Sequence, residues 1–154
     1  MHLTRQTEIA ISILMSCAKR TELIETQLVA SEARTTQGHA AQILKTMVRA
    51  GWIETRRGRR GGLTLAEDAD RLLLGNIVRT MQPAIFHGAS RSDTMPQSLG
   101  SVLSEATAAV HDLLDCYSIA DLVDRFPAGA ADLQTERNLP ATNGKRLAGA
   151  EICP

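Results

Sequence analysis

Amides and cations recur at helical spacing between residues 36 and 49, and this combination suits nucleic-acid binding. Projected at about 100° per residue, Gly38, Gln42, Lys45 and Arg49 share one face of a helix, with His39 at its edge. That face carries no acidic residue. Side-chain amides can form paired hydrogen bonds to base edges, while Lys and Arg neutralise phosphates. The pattern predicts a recognition helix that enters a DNA groove.

Arginine and glycine dominate the segment that follows. The seven residues 56–62 contain four arginines and three glycines, and short β-prone runs lie on either side. Because glycine permits positive φ, this pattern predicts a β-hairpin with arginines at its tip. A solvated, merely charged loop is the alternative. Contact with nucleic acid is favoured because the hairpin directly follows two predicted helices.

The elements that position these side chains are predicted from caps and apolar spacing. Thr4 is a plausible cap for a first helix whose apolar face includes Cys17, which we expect to be a small core residue. Thr26 can cap a short helix over 27–34 that buries Leu28 and Val29. Thr35 and Thr36 can cap the recognition helix, which ends at Gly51. Its apolar face comprises Ala40, Ile43, Leu44, Met47 and Val48.

The region after the hairpin is predicted to hold an apolar helix, a loop and a long helix. The apolar helix lies within 66–82, includes Leu72 and Leu73, and ends at Pro83; a turn-rich loop spans 83–98. The long helix carries apolar residues at heptad spacing, which predicts a dimerisation seam; an intramolecular core helix is the alternative. The seam residues are Leu99, Leu103, Ala106, Val110, Leu113 and Tyr117.

The end of the chain adds one more short element. Ser118-Ile119-Ala120-Asp121 resembles a capping box and predicts a helix over 119–126. Residues 127–154 are rich in Ala, Gly, Asn, Pro and Thr, and we expect a disordered tail there. We therefore expect four parts: a DNA-binding domain with a linker helix over 1–82, a loop over 83–98, a dimerisation helix and a short following helix over 99–126, and the tail over 127–154.

Composition restricts the class of protein. The 154 residues are 44% hydrophobic, which fits one globular domain with an added element, and no apolar run is long enough to cross a bilayer. Residues 1–65 hold ten Lys/Arg against five Glu, whereas residues 66–154 hold seven against twelve acidic residues. A basic first part suggests a polyanion partner. Three dispersed cysteines argue against a disulfide scaffold or zinc module and fit a reducing cytoplasm.

The order of these motifs resembles the iron–sulfur cluster regulator family of bacterial winged-helix transcription factors, from Met1 to about Asp124. The resemblance is carried by the segments 2–4, 42–44, 50–51, 57–58, 61–62, 77–79 and 117–123. It implies a mainly α fold with a small β-hairpin: a winged helix-turn-helix domain plus a long dimerisation helix. It further implies a homodimer on an imperfect DNA palindrome, with Arg57 of the wing reaching an adjacent groove.

The expected DNA contacts combine the helix pattern with the resemblance. The family's groove contacts fall on Thr36, Gly38, His39 and Gln42, although relatives often carry a hydroxyl residue where Gly38 stands. Relatives also often carry Pro and Gly at the positions of Arg59 and Arg60, and the added charge should increase salt dependence. The full predicted set is Thr36, Gln37, Gly38, His39, Gln42, Lys45, Arg49, Arg56, Arg57, Arg59 and Arg60.

The sensor region departs from the family. Cluster-binding relatives place three cysteines in the loop that here spans 83–98, and this loop has none. Iron–sulfur ligation depends chiefly on thiolates, so His87, Asp93 and Met95 are poor replacements. Glu8 stands where some relatives supply a carboxylate ligand, but a lone carboxylate cannot hold a cluster. We expect no iron–sulfur cluster at the family's usual site, which leaves only a cluster held by non-standard ligands as the alternative.

Three functions remain to be compared. The first is a sequence-specific, cytoplasmic DNA-binding regulator, most simply a repressor, that acts as a homodimer. The second is a thiol- or ligand-responsive regulator acting through Cys116 or the 83–98 loop, and the third is a protein-interaction module that lost DNA binding. His111 and Asp115 have metal-ligand spacing but fit a hydrogen-bonded or solvated pair better. No catalytic constellation can be assembled, which argues against an enzyme.

Overall fold

The computed structural model describes residues 2–58, 61–82 and 97–125. These form six helices and one two-stranded antiparallel sheet, a mainly α fold with a small hairpin. None of the helices described is long and apolar enough to cross a bilayer. In chain order the elements are α1 (Arg5–Ala18), α2 (Thr26–Glu32), α3 (Gln37–Arg49), β1 (Ile53–Arg56), β2 (Gly62–Leu65), α4 (Leu74–Met81), α5 (Gln97–Asp115) and α6 (Ile119–Arg125).

Helix starts follow the predicted caps except at α2. Thr4 accepts a hydrogen bond from the amide of Thr7, and Thr36 caps α3 in the same way. The N-cap of α2 is Glu25, without a side-chain bond, so the prediction of Thr26 as its cap is wrong. Leu28 is also exposed rather than buried, because the short α2 turns its neighbours Val29 and Ala30 inward.

An aliphatic core holds the helices and the hairpin together. Side chains from every described helix and strand except α5 are almost fully buried in one cluster, and Cys17 belongs to it as predicted. Burial of such aliphatic groups provides the main stabilisation of the domain. Among its largest members are Ile9, Ile13, Leu14, Met47, Ile53, Ile77 and Ile119.

The hairpin is joined to the turn before α2. β1 pairs with β2 in a register that places Ile53 opposite Leu65 and Arg56 opposite Gly62. Leu63 also exchanges two backbone hydrogen bonds with Ile24, at 2.9 and 2.8 Å. A side chain at Gly62 would lie 2.7 Å from the Ile24 carbonyl oxygen, which explains the glycine. The hairpin is thereby fixed beside the helix-turn-helix.

The segment that follows α5 is tied by backbone hydrogen bonds to residues 72–74 at the start of α4. Leu74 N donates to Tyr117 O at 2.8 Å, and Ile119 N donates to Leu72 O at 2.9 Å. The predicted capping box is present, since Ser118 Oγ accepts from Asp121 N at 3.1 Å and Ser118 N donates to Asp121 Oδ2 at 2.7 Å. α6 then packs on α1.

Some predicted boundaries differ from the structure. α4 begins at Leu74, so Leu72 and Leu73 precede it, because their backbones pair with the 117–119 segment instead. α5 begins at Gln97, inside the loop predicted over 83–98. The 83–96 part of that loop and the predicted tail lie outside the described residues, as do Arg59, Arg60 and Phe126.

Candidate nucleic-acid interface

The predicted face of α3 is exposed in the structure. Gln37, Gly38, Gln42, Lys45 and Arg49 all lie at the surface, because the opposite face packs into the core. The exposed face carries amides and cations and no carboxylate. Its polar groups are therefore available to a ligand with acceptor atoms and negative charge.

Short-range hydrogen bonds orient the N-terminal half of α3. Thr36 Oγ1 accepts from His39 N at 3.2 Å, and His39 Nδ1 lies 3.2 Å from Thr35 Oγ1. His39 is half-buried, at the edge of the exposed face. Lys45 Nζ approaches Gln42 Oε1 only to 3.5 Å, a long contact that an outside hydrogen-bond partner can replace.

The hairpin presents arginine beside α3. Arg56 and Arg57 are both exposed, and Gly58 has φ of 116°, a conformation that glycine adopts without strain. Gly61 N donates to Gly58 O at 2.8 Å and closes the turn.

A groove of about 790 Å³ separates α3 from the hairpin. Four cations line it, and Glu25 is the one carboxylate among the described lining residues. Thr26 and Gln27 at the start of α2 form part of its wall, and sequence patterns did not indicate them. Val48, which was predicted to lie on the apolar face, also lines the groove and is exposed, because it lies at the margin of that face. The lining cations are Lys45, Arg49, Arg56 and Arg57.

The heptad residues of α5 divide between two environments. Leu99 and Leu113 remain 46% and 44% exposed, and Val102, which was not part of the predicted seam, is 58% exposed. Leu103, Ala106 and Val110 are half-buried. Tyr117 lies beyond the end of the helix, where its ring contacts Arg125 at 4.9 Å. Among the described residues, the outer face of α5 is thus an exposed apolar stripe.

The remaining candidate residues lie near the α4–α5 contact. Asp115 accepts two hydrogen bonds from Arg79 at 2.8 Å, so its ionic partner is on α4 rather than His111. His111 is 9% exposed, and its Nδ1 has no hydrogen-bond partner among the described residues. Burial, reinforced by the Arg79 charge, lowers the pKa of His111. Cys116 is half-buried, with Sγ 3.5 Å from Asp112 O.

Metal ligands are not brought together in the part of the chain that the structure describes. No three His, Cys, Asp or Glu side chains converge there. Glu8 is exposed and pairs with Arg5 at 3.2 Å. The described donors therefore do not fit an iron–sulfur cluster, which requires several thiolates.

Comparison with known proteins agrees with this geometry. The family model described as Rrf2, iron-dependent transcriptional regulator, matches residues 3–125. The chain is 30% identical over 133 residues to the HTH-type transcriptional regulator NsrR of Geobacillus kaustophilus, covering 80% of this chain and 90% of that protein. It is 31% identical over 135 residues to Protein aau3 of Rhizobium meliloti, covering 82% and 88%.

Solved structures show the same fold. The oxidised form of Staphylococcus aureus CymR aligns with a TM-score of 0.69 at 21% identity, covering 80% of this chain and 97% of that chain. CymR, the global cysteine regulator of B. subtilis, aligns with a TM-score of 0.68 at 18% identity, covering 81% and 98%. The IscR of T. potens aligns with a TM-score of 0.66 at 17% identity, covering 81% and 88%.

Proposed function

Since this chain belongs to the Rrf2 family of transcriptional regulators, we propose that it is a homodimeric repressor that binds a two-fold symmetric DNA site without an iron–sulfur cluster. Family membership makes it a DNA-binding regulator of winged-helix fold and not an enzyme. It also disfavours an interaction module that lost DNA binding. The cationic groove between α3 and the hairpin is the observation that carries the proposal.

In the proposed complex, α3 lies in the major groove with the hairpin on the flanking strand. Gln42 is exposed at the centre of the α3 face, and an amide there can bond two atoms of one base. Arg57 stands at the hairpin tip, where a guanidinium contacts phosphate or a neighbouring groove. Gln42 thus contributes specificity, and Arg57 contributes mainly affinity.

Binding to duplexes enriched from a random pool by the wild-type protein tests this assignment. Gln42→Ala should cost about 1–3 kcal/mol on the enriched site and relax preference at one base pair. Arg57→Ala should weaken binding on all sequences and lower the salt slope by about 1 per subunit contact. Lys19→Ala, which removes an exposed cation at the far end of α1, is the control. An unchanged footprint in the Gln42→Ala, Arg57→Ala double variant would refute the assignment.

We assign dimerisation to the apolar stripe of α5. Leu99, Val102, Ala106, Ala109 and Leu113 alternate in spacings of three and four and are exposed or half-exposed. This heptad series shares three residues with the predicted seam. It differs in having the exposed Val102 and Ala109 in place of the half-buried Leu103 and Val110. A palindromic site calls for two recognition helices at fixed spacing, which a second copy on this stripe would supply.

A charged substitution tests whether this stripe is the dimer interface or an ordinary part of the surface. We expect Leu113→Glu to shift the protein to monomer in sedimentation and to abolish tight binding to the enriched duplex. Ser104→Glu places the same charge at an exposed position elsewhere on α5 and should remain dimeric. A Leu113→Glu protein that sediments as a dimer would exclude this stripe as the interface.

The absence of cysteine from residues 83–98 supports a regulator without a cluster. Protein purified under anaerobic conditions should show no visible absorption after incubation with iron and sulfide. Bands in the visible region would instead require ligands outside the family pattern and would overturn this part of the proposal.

A further inference from the structure

Arg34, in the turn between α2 and α3, has an unusual backbone conformation. Its φ is 49°, and it is the one residue other than glycine with positive φ among the described residues. Thr35 N donates to Ala30 O at 2.9 Å, so Arg34 occupies the position after a helix where glycine is common. Because arginine has a β-carbon, this conformation is less favourable for it than for glycine.

The fold uses the backbone of Arg34 but not its side chain. Arg5 Nη2 donates to Arg34 O at 3.1 Å, and Arg34 N donates to Ser31 O at 3.0 Å. The Arg34 guanidinium is exposed and has no carboxylate partner among the described residues. Glycine would keep both backbone bonds without strain. Nothing in the described part of the fold therefore requires the charged side chain, which is available for a use outside that part of the chain.

The position of Arg34 indicates what that use is. It precedes the first residue of α3 by three positions and does not line the groove beside the hairpin. A major groove is about 12 Å wide and a helix with its side chains about 10–12 Å across. When α3 fills the groove, the chain that enters it must cross the sugar–phosphate backbone at the groove edge.

We propose that Arg34 is a phosphate contact at the N-terminal end of the recognition helix, separate from the arginines of the hairpin. The inference rests on the proposed DNA-binding function and adds a residue that sequence patterns did not indicate. Strain in the turn is retained because glycine would lose the charge. Arg5, which holds the Arg34 carbonyl, is a positioning residue for the turn.

Arg34→Gly tests the proposal through its salt dependence. The probes are a duplex enriched from a random pool by the wild-type protein and a duplex of unrelated sequence. Each phosphate contact contributes about 0.9 to the slope of log affinity against log salt, so a dimer should lose about 1.8. The loss of affinity between about 50 and 200 mM salt should then be about tenfold smaller than in wild type. Both duplexes should lose affinity by the same factor, because phosphates carry no sequence.

Thermal stability and matched variants distinguish the effect of the Arg34 charge from the effect of its backbone conformation. The Tm of Arg34→Gly should rise by about 2–4 °C as strain is relieved; a lower Tm would overturn the strain argument. Arg34→Asn, neutral and tolerant of positive φ, should match the glycine variant in salt slope, whereas Arg34→Lys should keep the wild-type slope. Lys19→Asn removes a cation at the opposite end of α1, about 20 Å from Arg5, and should leave the slope unchanged.

The outcomes distinguish this inference from the proposed function. If the wild-type protein enriches no sequence, the proposed function fails. If enrichment succeeds and Arg34→Gly has the wild-type slope, the phosphate contact alone is excluded. An equal loss of slope in Lys19→Asn would also exclude it, because the effect would then reflect net charge.

Discussion

Gly75 provides the sharpest test of how α4 and α5 are joined. A β-carbon at this position would lie 2.7 Å from Asp115 Cγ and 2.8 Å from the backbone carbonyl oxygen of His111. The Asp115 carboxylate could rotate away only by giving up its two hydrogen bonds to Arg79. The His111 carbonyl belongs to the backbone of α5, so the helix itself would have to move.

The sign of the change in unfolding free energy of Gly75→Ala shows whether Gly75 packs closely against α5 or lies at an ordinary helix position. Alanine is favoured over glycine inside a helix by about 1 kcal/mol, so without a clash the variant would be more stable. Forcing an extra methyl group into a packed contact costs about 1–3 kcal/mol. The Arg79–Asp115 pair is partly exposed and contributes no more than about 1 kcal/mol. We expect a net loss of about 1–2 kcal/mol.

Urea unfolding at one fixed subunit concentration, so that any association is the same in each sample, measures this difference. Gly100→Ala is the matched control, because Gly100 also lies in a helix and no described atom is within 4 Å of its added β-carbon. The control should gain about 0.5–1 kcal/mol. A Gly75→Ala protein as stable as Gly100→Ala would refute the packing of α4 against α5 described above.

Three further predictions address other parts of the molecule. Because burial and the Arg79 charge lower the pKa of His111 below its ordinary value of 6.5, the unfolded chain takes up the proton first as pH falls. Stability should therefore decline from pH 6.5 downward through the folded-state pKa, and a His111→Gln variant should show a smaller decline in urea titrations. Ser118→Ala removes the cap that accepts from Asp121 N and should cost about 1 kcal/mol, a Tm decrease of about 2–4 °C by calorimetry; an unchanged Tm would contradict the capping box. Burial raises the pKa of Cys17 to about 11, so in a chain whose other two cysteines are serine, an aromatic disulfide reagent at pH 8 should react only as fast as the protein unfolds; rapid labelling would show that the thiol is accessible.

Local elements could be predicted from the sequence because their causes lie within a few residues. The caps at Thr4 and Thr36 and the Ser118–Asp121 box each depend on atoms three positions apart. The exposed face of α3 followed from helical periodicity in the same way. The start of α2 was predicted less well, since its cap Glu25 makes no side-chain bond that a sequence pattern could indicate.

Contacts between distant residues could not be predicted. Asp115 has metal-ligand spacing to His111, yet it pairs with Arg79, which is 36 positions away. The groove wall at Thr26 and the contact of Gly75 with α5 likewise bring together separate segments. The periodicity of one segment does not specify how another segment is oriented against it. These contacts could therefore be identified only from the folded structure.

The amino-acid sequence by itself determined the order of helices and hairpin, the cationic amide face of α3 and the lack of cysteine in residues 83–98, because each is a property of neighbouring residues. Tertiary structure decided which apolar residues of α5 stay exposed, which carboxylate pairs with Arg79, and that Arg34 adopts positive φ in front of α3. These features depend on how whole elements pack, since burial and strain are set by atoms that are distant in sequence and close in space.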